Sequence, residues 1–350
     1  MSRHFYLAFF FGLWSSDMSR VLQPGVQAPL FKLPDATSGH IVSLETYQGQ
    51  TVVLIFFPPP DDELLGQLTS FQTKLSDFEG LGAVLVAICD AAAEALGHLA
   101  EEKGIQFPLG CDVNPAQAVS ASFGAISAEG NIAPSVLVID GDGLIRRVYE
   151  AAHYPSLPNP MMVLRALRKL ADAPKPTPVT QDDWQVGPAD APVVVIEYAD
   201  YECRPCGEAY RVLKQVVPLY GDEILWVHRH LPLRHSHPLA QQAAEAAEAA
   251  GAQGKFWDMH DRLFEARGAL ERDQLVEYAR EIGLDVAKFR QDLEQERFKD
   301  AVNEDFKLAV RNKIKLPPVL FINGILVEGP RTKESISARI DELLALESLS

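Results

Sequence analysis

Positive charge is scarce in this chain. Its 350 residues carry 32 Lys and Arg against 48 Asp and Glu, a formal net charge of -16. That deficit excludes the clustered basic surface nucleic acid needs to displace its counterions, and it disfavours docking on anionic membranes. Cysteine is scarce too. Four residues are too few for a disulfide-stapled secreted scaffold. Only one CxxC occurs, at Cys203 and Cys206, so the second ligand pair of a structural zinc site is missing. No apolar run is long enough to span a bilayer. The run Phe5 to Trp14 has the length of a signal-peptide core, yet no small-x-small cleavage site follows and Trp14 stands where a small residue belongs. A start at Met18 and a cytoplasmic location are expected, with export as the alternative if residues 1–17 are a true signal segment.

What is present, 47% hydrophobic and 23% charged residues, describes an ordinary soluble protein with material for two cores. Prolines 174, 176 and 178 alternate in an extended stretch that neither helix nor central strand accepts. The expected division is a domain over 21–170, a linker over 171–182 and a second domain over 183–347. In the first half, Thr51–Phe57, Ala83–Ile88 and Ser135–Ile139 read as buried strands, with a helix over Asp62–Phe78 and a hairpin through Asp140 to Gly143. In the second, Val193–Tyr198 and Ile224–His228 are strands and Cys203–Val217 a helix. Residues 238–314 read as helical throughout, Asn323-Gly324 turns a hairpin between Val319–Ile322 and Ile325–Glu328, and Lys333–Leu346 closes the chain. Strands alternating with helices imply a mainly parallel α/β sheet in each half.

The CxxC follows a strand and opens a helix. Its first cysteine then lies at the helix N-terminus, where unpaired N–H groups and the positive dipole end favour a thiolate. Cys203 is therefore the expected nucleophile and Cys206, one turn inward, the resolving thiol. Arg204 is expected to place a cation beside the thiolate and lower its pKa further.

The segments Gly187–Pro192, Asp200–Gly207, Arg229–Leu233, His237-Pro238, Gly254–Trp257 and Pro317–Gly324 resemble the DsbA-like thioredoxin-fold oxidoreductases. The resemblance runs from about Asp182 to Leu344 and implies a thioredoxin fold interrupted by a helical insertion. It implies that Pro318 is the cis-proline facing the CxxC. It also implies that Glu197, six residues before Cys203, is a partly buried acid of raised pKa that relays the proton Cys206 loses. The chain departs from the family at Pro317, where Thr or Val is usual. Proline has no N–H for the substrate backbone, a loss of about 1 kcal/mol. His228, His230, His235 and His237 suggest a metal cluster, but no Asp or Cys joins them at ligand spacing and the resembling stretch holds no metal. No metal or organic cofactor is expected.

Gly25–Asp35, the strand ending Phe56-Phe57-Pro58, Phe107–Leu109 and the Val138–Asp140 hairpin resemble peroxiredoxins of the AhpC/TSA and bacterioferritin-comigratory type, over about 21–170. The family's peroxidatic cysteine falls on Leu64 or Leu65, and Asn131–Pro134 lacks its late arginine, so no peroxide chemistry is expected. In that arrangement Cys89 and Cys111 end neighbouring parallel strands, about 4.8 Å apart. They can pair, or serve as two buried small hydrophobes.

The fold class expected is α/β, two tandem thioredoxin-like folds, the second with a helical insertion. The function expected is dithiol–disulfide exchange with protein or peptide thiols and disulfides, served by an unidentified redox partner. Two alternatives stand beside it: a reductase of a peroxiredoxin system, and a non-enzymatic two-domain binding or chaperone-like scaffold.

Overall fold

The computed structural model describes residues 22–113, 118–127, 129–150, 157–266 and 268–347. The apolar run before Met18, and with it the question of the start site, lies outside them. No helix among the described residues is long and apolar enough to cross a membrane.

The first half contains strands β1 (Lys32–Pro34), β2 (Ile41–Ser43), β3 (Thr51–Phe57), β4 (Ala83–Cys89), β5 (Leu109–Cys111), β6 (Ser135–Ile139) and β7 (Ile145–Glu150). Between and after them come helices α1 (Asp62–Gln72), α2 (Leu75–Glu79), α3 (Ala93–Lys103), α4 (Ala118–Ser122) and α5 (Pro160–Asp172). The sheet order is β5-β4-β3-β6-β7, with β3, β4 and β5 parallel. Apolar residues run without alternation through β3 because both faces of a parallel sheet are covered. The single helix expected over Asp62–Phe78 is two. On one continuous helix Phe71 and Phe78 would stand about 10.5 Å apart along the axis. The break at Thr73 and Lys74 instead lets the two buried rings stack at 5.9 Å.

The second half contains β8 (Trp184–Val186), β9 (Val193–Ala199), α6 (Arg204–Tyr220), β10 (Ile224–His230), helices α7 (Ala240–Gly251), α8 (Phe256–Glu265), α9 (Arg272–Glu281), α10 (Val286–Glu294) and α11 (Lys299–Arg311), then β11 (Val319–Ile322), β12 (Ile325–Leu326) and α12 (Lys333–Glu347). Its sheet order is β12-β11-β9-β10-β8, with β9 and β10 parallel and β11 antiparallel to β9. The two sheets thus repeat one plan: β9, β10, β11 and β12 stand where β3, β4, β6 and β7 stand. Both halves are thioredoxin-like α/β folds, and five helices, α7 to α11, are inserted between β10 and β11 of the second.

Strand β10 runs two residues past His228. Arg229 and His230 hide the continuation because they are polar, yet they pair with Tyr198 and Ala199 and are buried. Along β9 the side chains alternate. Val193, Val195 and Ala199 pack with α6 and the inserted helices, while Ile196 and Tyr198 face the smaller core on the other side.

Candidate active site

Cys203 is the N-cap of α6, in extended conformation, and Pro205 follows in the first turn where a missing N–H costs no hydrogen bond. The backbone N–H groups of Cys206 and Gly207 both donate to the Cys203 carbonyl, which winds the second cysteine beneath the first. Cys206 is sealed, and Cys203 is 6% exposed. The Cys203 thiol points at the carbonyl of Pro317, 3.7 Å away, so the nucleophile lies against the loop that precedes β11. The peptide between Pro317 and Pro318 is cis. Leu316, just before it, is 70% exposed.

A hydrogen bond from the Cys206 thiol is the largest influence on Cys203 and holds its pKa down to about 7. Burial and the Asp200 charge oppose that, while the Cys206 N–H and the charge of His237 assist it. Cys206 moves the other way, pushed far up by burial and by the neighbouring thiolate. One sulfur is therefore poised to ionise and the other to stay protonated until the first has reacted.

Arg204 is not the cation that assists. Its side chain is 90% exposed and pairs with Glu208 at 3.4 Å, one turn along the helix. That part belongs to His237, one of the four histidines whose spacing suggests a metal cluster. Asp200 fixes it there. One carboxylate oxygen accepts from the Glu202 N–H at 2.8 Å, and the other from the Leu233 N–H and from His237 Nδ1, each at 2.8 Å. The Asp200 carbonyl accepts from the Cys203 N–H, and Glu202 accepts from the Leu239 N–H at 2.7 Å. The loop from Leu231 to Leu239 is thereby tied to the CxxC loop. Burial alone would lower the pKa of His237, but the Asp200 hydrogen bond and charge raise it, which favours the ring's charged form, and that charge helps hold the Cys203 pKa down. The His237-Pro238 pair was visible in the sequence. Its carboxylate partner, 37 residues earlier, was not.

Glu197 lies on the β9 face that α6 covers and is fully buried, but its pKa falls instead of rising. Burial would push the carboxyl up, and hydrogen bonds and charge from His228 and His260 outweigh it, holding the group down to about 2. Trp226 Nε1 donates to Glu197 Oε1 at 3.1 Å, His228 Nδ1 lies 3.2 Å from that oxygen, and His260 Nε2 3.4 Å. The expected reservoir of a protonated carboxyl is thus an ionised carboxylate. Burial holds His228 down to about 3, while Asp261 and Glu197 overcome burial to raise His260. The rings of Tyr201, Tyr210, Trp226, Phe256, Trp257 and Phe264 enclose His260, which suits an imidazolium among π-faces. No sequence spacing pointed to His260, which α8 brings in from the insertion.

The four suspected histidines separate. His228 and His230 meet, His235 is exposed, and His237 turns to Asp200. Among the described residues, Glu197, His228 and His260 alone gather possible metal-ligand atoms within 4.8 Å of one another. Trp226 Nε1 and His228 Nδ1 already reach Glu197 Oε1 within hydrogen-bond distance, so the set reads as a hydrogen-bond network. In the first half, Leu64 and Leu65 sit in the first turn of α1, partly buried. Cys89 and Cys111 are register partners across β4 and β5, both buried and free.

The thioredoxin family profile matches residues 179–342 and that of the AhpC/TSA family residues 24–148. An Na(+)/H(+) antiporter NhaA 3 of Salinispora tropica is 41% identical over 164 residues, 47% of this chain and 25% of that protein. The chain thus spans about a quarter of the length of the curated relatives it matches. Among solved structures, BdbD from Bacillus subtilis (oxidised) aligns with 50% of this chain and 99% of its own, at 22% identity and a TM-score of 0.44. Mycobacterium tuberculosis AhpC aligns with 43% and 94%, at 20% identity and a TM-score of 0.39.

Proposed function

Because the chain joins an AhpC/TSA-family domain to a thioredoxin-family domain, we propose that it is a thiol–disulfide oxidoreductase working through Cys203 and Cys206 on protein or peptide disulfides. The observation that carries this reading is the split between the two sulfurs, one lowered to about 7 at a helix N-cap and the other sealed and raised. In the reducing direction the Cys203 thiolate attacks a substrate disulfide. A new S–S bond forms and the first substrate sulfur leaves with the electron pair. Cys206 then loses its proton and attacks the Cys203 sulfur, releasing the second substrate sulfur and leaving the Cys203–Cys206 disulfide. A partner dithiol restores the pair, and run backwards the same steps oxidise a substrate.

Exposed Leu316 beside Pro317 and the nucleophile favours an unfolded or extended polypeptide over a small disulfide. The first domain, with leucine at both candidate positions for the attacking sulfur, serves in this proposal as a docking partner without peroxidase chemistry. The test is insulin reduction with dithiothreitol as donor. Wild type should accelerate it, Cys203→Ser should abolish the acceleration, and Cys206→Ser should accumulate a mixed disulfide. Equal rates for wild type and Cys203→Ser would leave a binding or chaperone-like scaffold as the better account.

A further inference from the structure

Three buried polar groups and the partly buried Glu248 lie end to end in the second domain. His228 Nδ1 is 3.2 Å from Glu197 Oε1, His228 Nε2 is 3.3 Å from His230 Nδ1, and His230 Nε2 is 3.0 Å from Glu248 Oε1. Each contact needs a proton between its two atoms. Two ionised carboxylates bring none and two neutral imidazoles bring one apiece. The row closes only if it holds one proton more than those states supply.

We propose that Glu197, His228, His230 and Glu248 form a proton wire that stores this extra proton and carries the proton shed by Cys206 to the surface. The proposal rests on the redox reading of the CxxC. Glu197 stands between Val195 and Ala199 on β9, on the face whose apolar residues share a core with Cys206. Its second oxygen, Oε2, is buried and has no hydrogen-bond partner, an open lone pair inside the fold. The row then leads outward. The side chains of Glu197 and His228 are 0% exposed and His230 1%, whereas Glu248 is 12% exposed. An imidazole can take a proton on one ring nitrogen while releasing another from the opposite one, so the ring that holds two can hand one outward as its neighbour supplies the next.

The groups that face the row are Trp226, which donates to Glu197 Oε1, Tyr201, whose hydroxyl is 3.5 Å from His228 Nε2, His260 at Glu197, Asp305, which accepts from the His230 N–H, and Trp184, which donates to Glu248. In the second chemical step the Cys206 S–H bond breaks, its electron pair forms the S–S bond with Cys203, and the substrate sulfur leaves with the pair of the broken bond. The Cys206 proton enters at Glu197, each member passes one on, and Glu248 gives one to water.

Two variants and one spectrum test the wire. Glu248→Gln keeps the shape and an acceptor for both His230 and Trp184 but cannot take up a proton. His228→Phe cuts the row at its centre. Reduced full-length protein is mixed with oxidised glutathione, and formation and resolution of the Cys203 mixed disulfide are timed separately. Formation should match wild type in both variants, while resolution slows by at least about tenfold at neutral pH and recovers as the pH rises. Should His228→Phe misfold, Glu248→Gln still decides. Resolution at the wild-type rate in a folded variant overturns the proposal. Nitrogen-15 spectra of the two ring systems give an answer independent of redox chemistry: three protonated nitrogens of four are expected in wild type, and two would overturn the wire. If Cys203 forms no mixed disulfide at all, the redox reading fails by itself while the nitrogen count still judges the stored proton.

Discussion

His237 Nδ1 lies 2.8 Å from a carboxylate oxygen of Asp200, and Asp200 stands three residues ahead of Cys203. Histidine charge is thereby delivered to the nucleophile from a loop outside the CxxC, and not from the residue next door. His237→Phe should raise the Cys203 pKa by about one unit. The thiolate belongs to the reduced state, so weakening it makes the disulfide relatively more stable and moves the reduction potential negative, by about 30 mV for a tenfold change. Arg204→Ala should leave both quantities unchanged. Iodoacetamide alkylation followed against pH, together with a glutathione redox titration, reads out all three proteins; a shift in the arginine variant and none in the histidine variant would reverse the assignment.

Glu197 and His228 should make the fold acid-sensitive. The carboxyl is lowered from 4.5 to about 2, so its stabilising contribution is complete above 4.5 and disappears as the pH drops towards about 2. His228 is lowered from 6.5 to about 3, so the unfolded chain binds a proton across that window that the folded chain refuses, and stability again falls on acidification. His260, being raised, acts with the opposite sign and loses its contribution as the pH climbs through its folded value. Urea midpoints measured from neutral pH down to about pH 3 should decline in wild type. Glu197→Gln should start lower by about 3 kcal/mol, because it strands the partner histidines, and should decline less below 4.5. A variant with an unaltered acid slope would contradict this.

Pro317 offers the substrate a carbonyl but no N–H. Pro317→Thr should restore one backbone hydrogen bond and tighten peptide substrates by about 1 kcal/mol, seen as a KM lower by several fold with kcat little changed. Unaltered Michaelis constants would show that the substrate backbone does not bridge to this residue.

Cys89 and Cys111 face each other across β4 and β5 as buried thiols, and burial pushes the Cys89 pKa well up. Neither should react with a thiol-specific maleimide until the protein is denatured, and mass spectrometry of oxidised, denatured samples should then find both alkylated. A mass lower by two hydrogens in the peptide pair would identify a disulfide instead.

Much of this was legible in the sequence because apolar periodicity and turn chemistry are local signals. The unbroken run of β3, the Asn323-Gly324 turn and the strand–CxxC–helix order each needed only neighbouring residues. What stayed hidden depends on long-range pairing. His260 reaches Glu197 from 63 residues away, and only the folding of α8 over β9 makes them partners. The direction of the Glu197 pKa is hidden for that reason: burial follows from the strand, whereas the histidines that outweigh it come from distant segments. Arg204 shows the converse, since adjacency in sequence said nothing about which way a helix side chain turns.

Arg229 has a consequence for how the second domain can be handled in isolation. Its five N–H groups meet six acceptor atoms, both carboxylate oxygens of Asp183, the Thr177 carbonyl and hydroxyl, the Pro178 carbonyl and the Tyr198 hydroxyl. Stretches that composition alone would discard as spacer are therefore gripped from beneath by the sheet. A fragment cut to begin at Trp184 would expose a fixed positive fork with most of its acceptors amputated, whereas one beginning before Thr177 would carry its own counter-ion along.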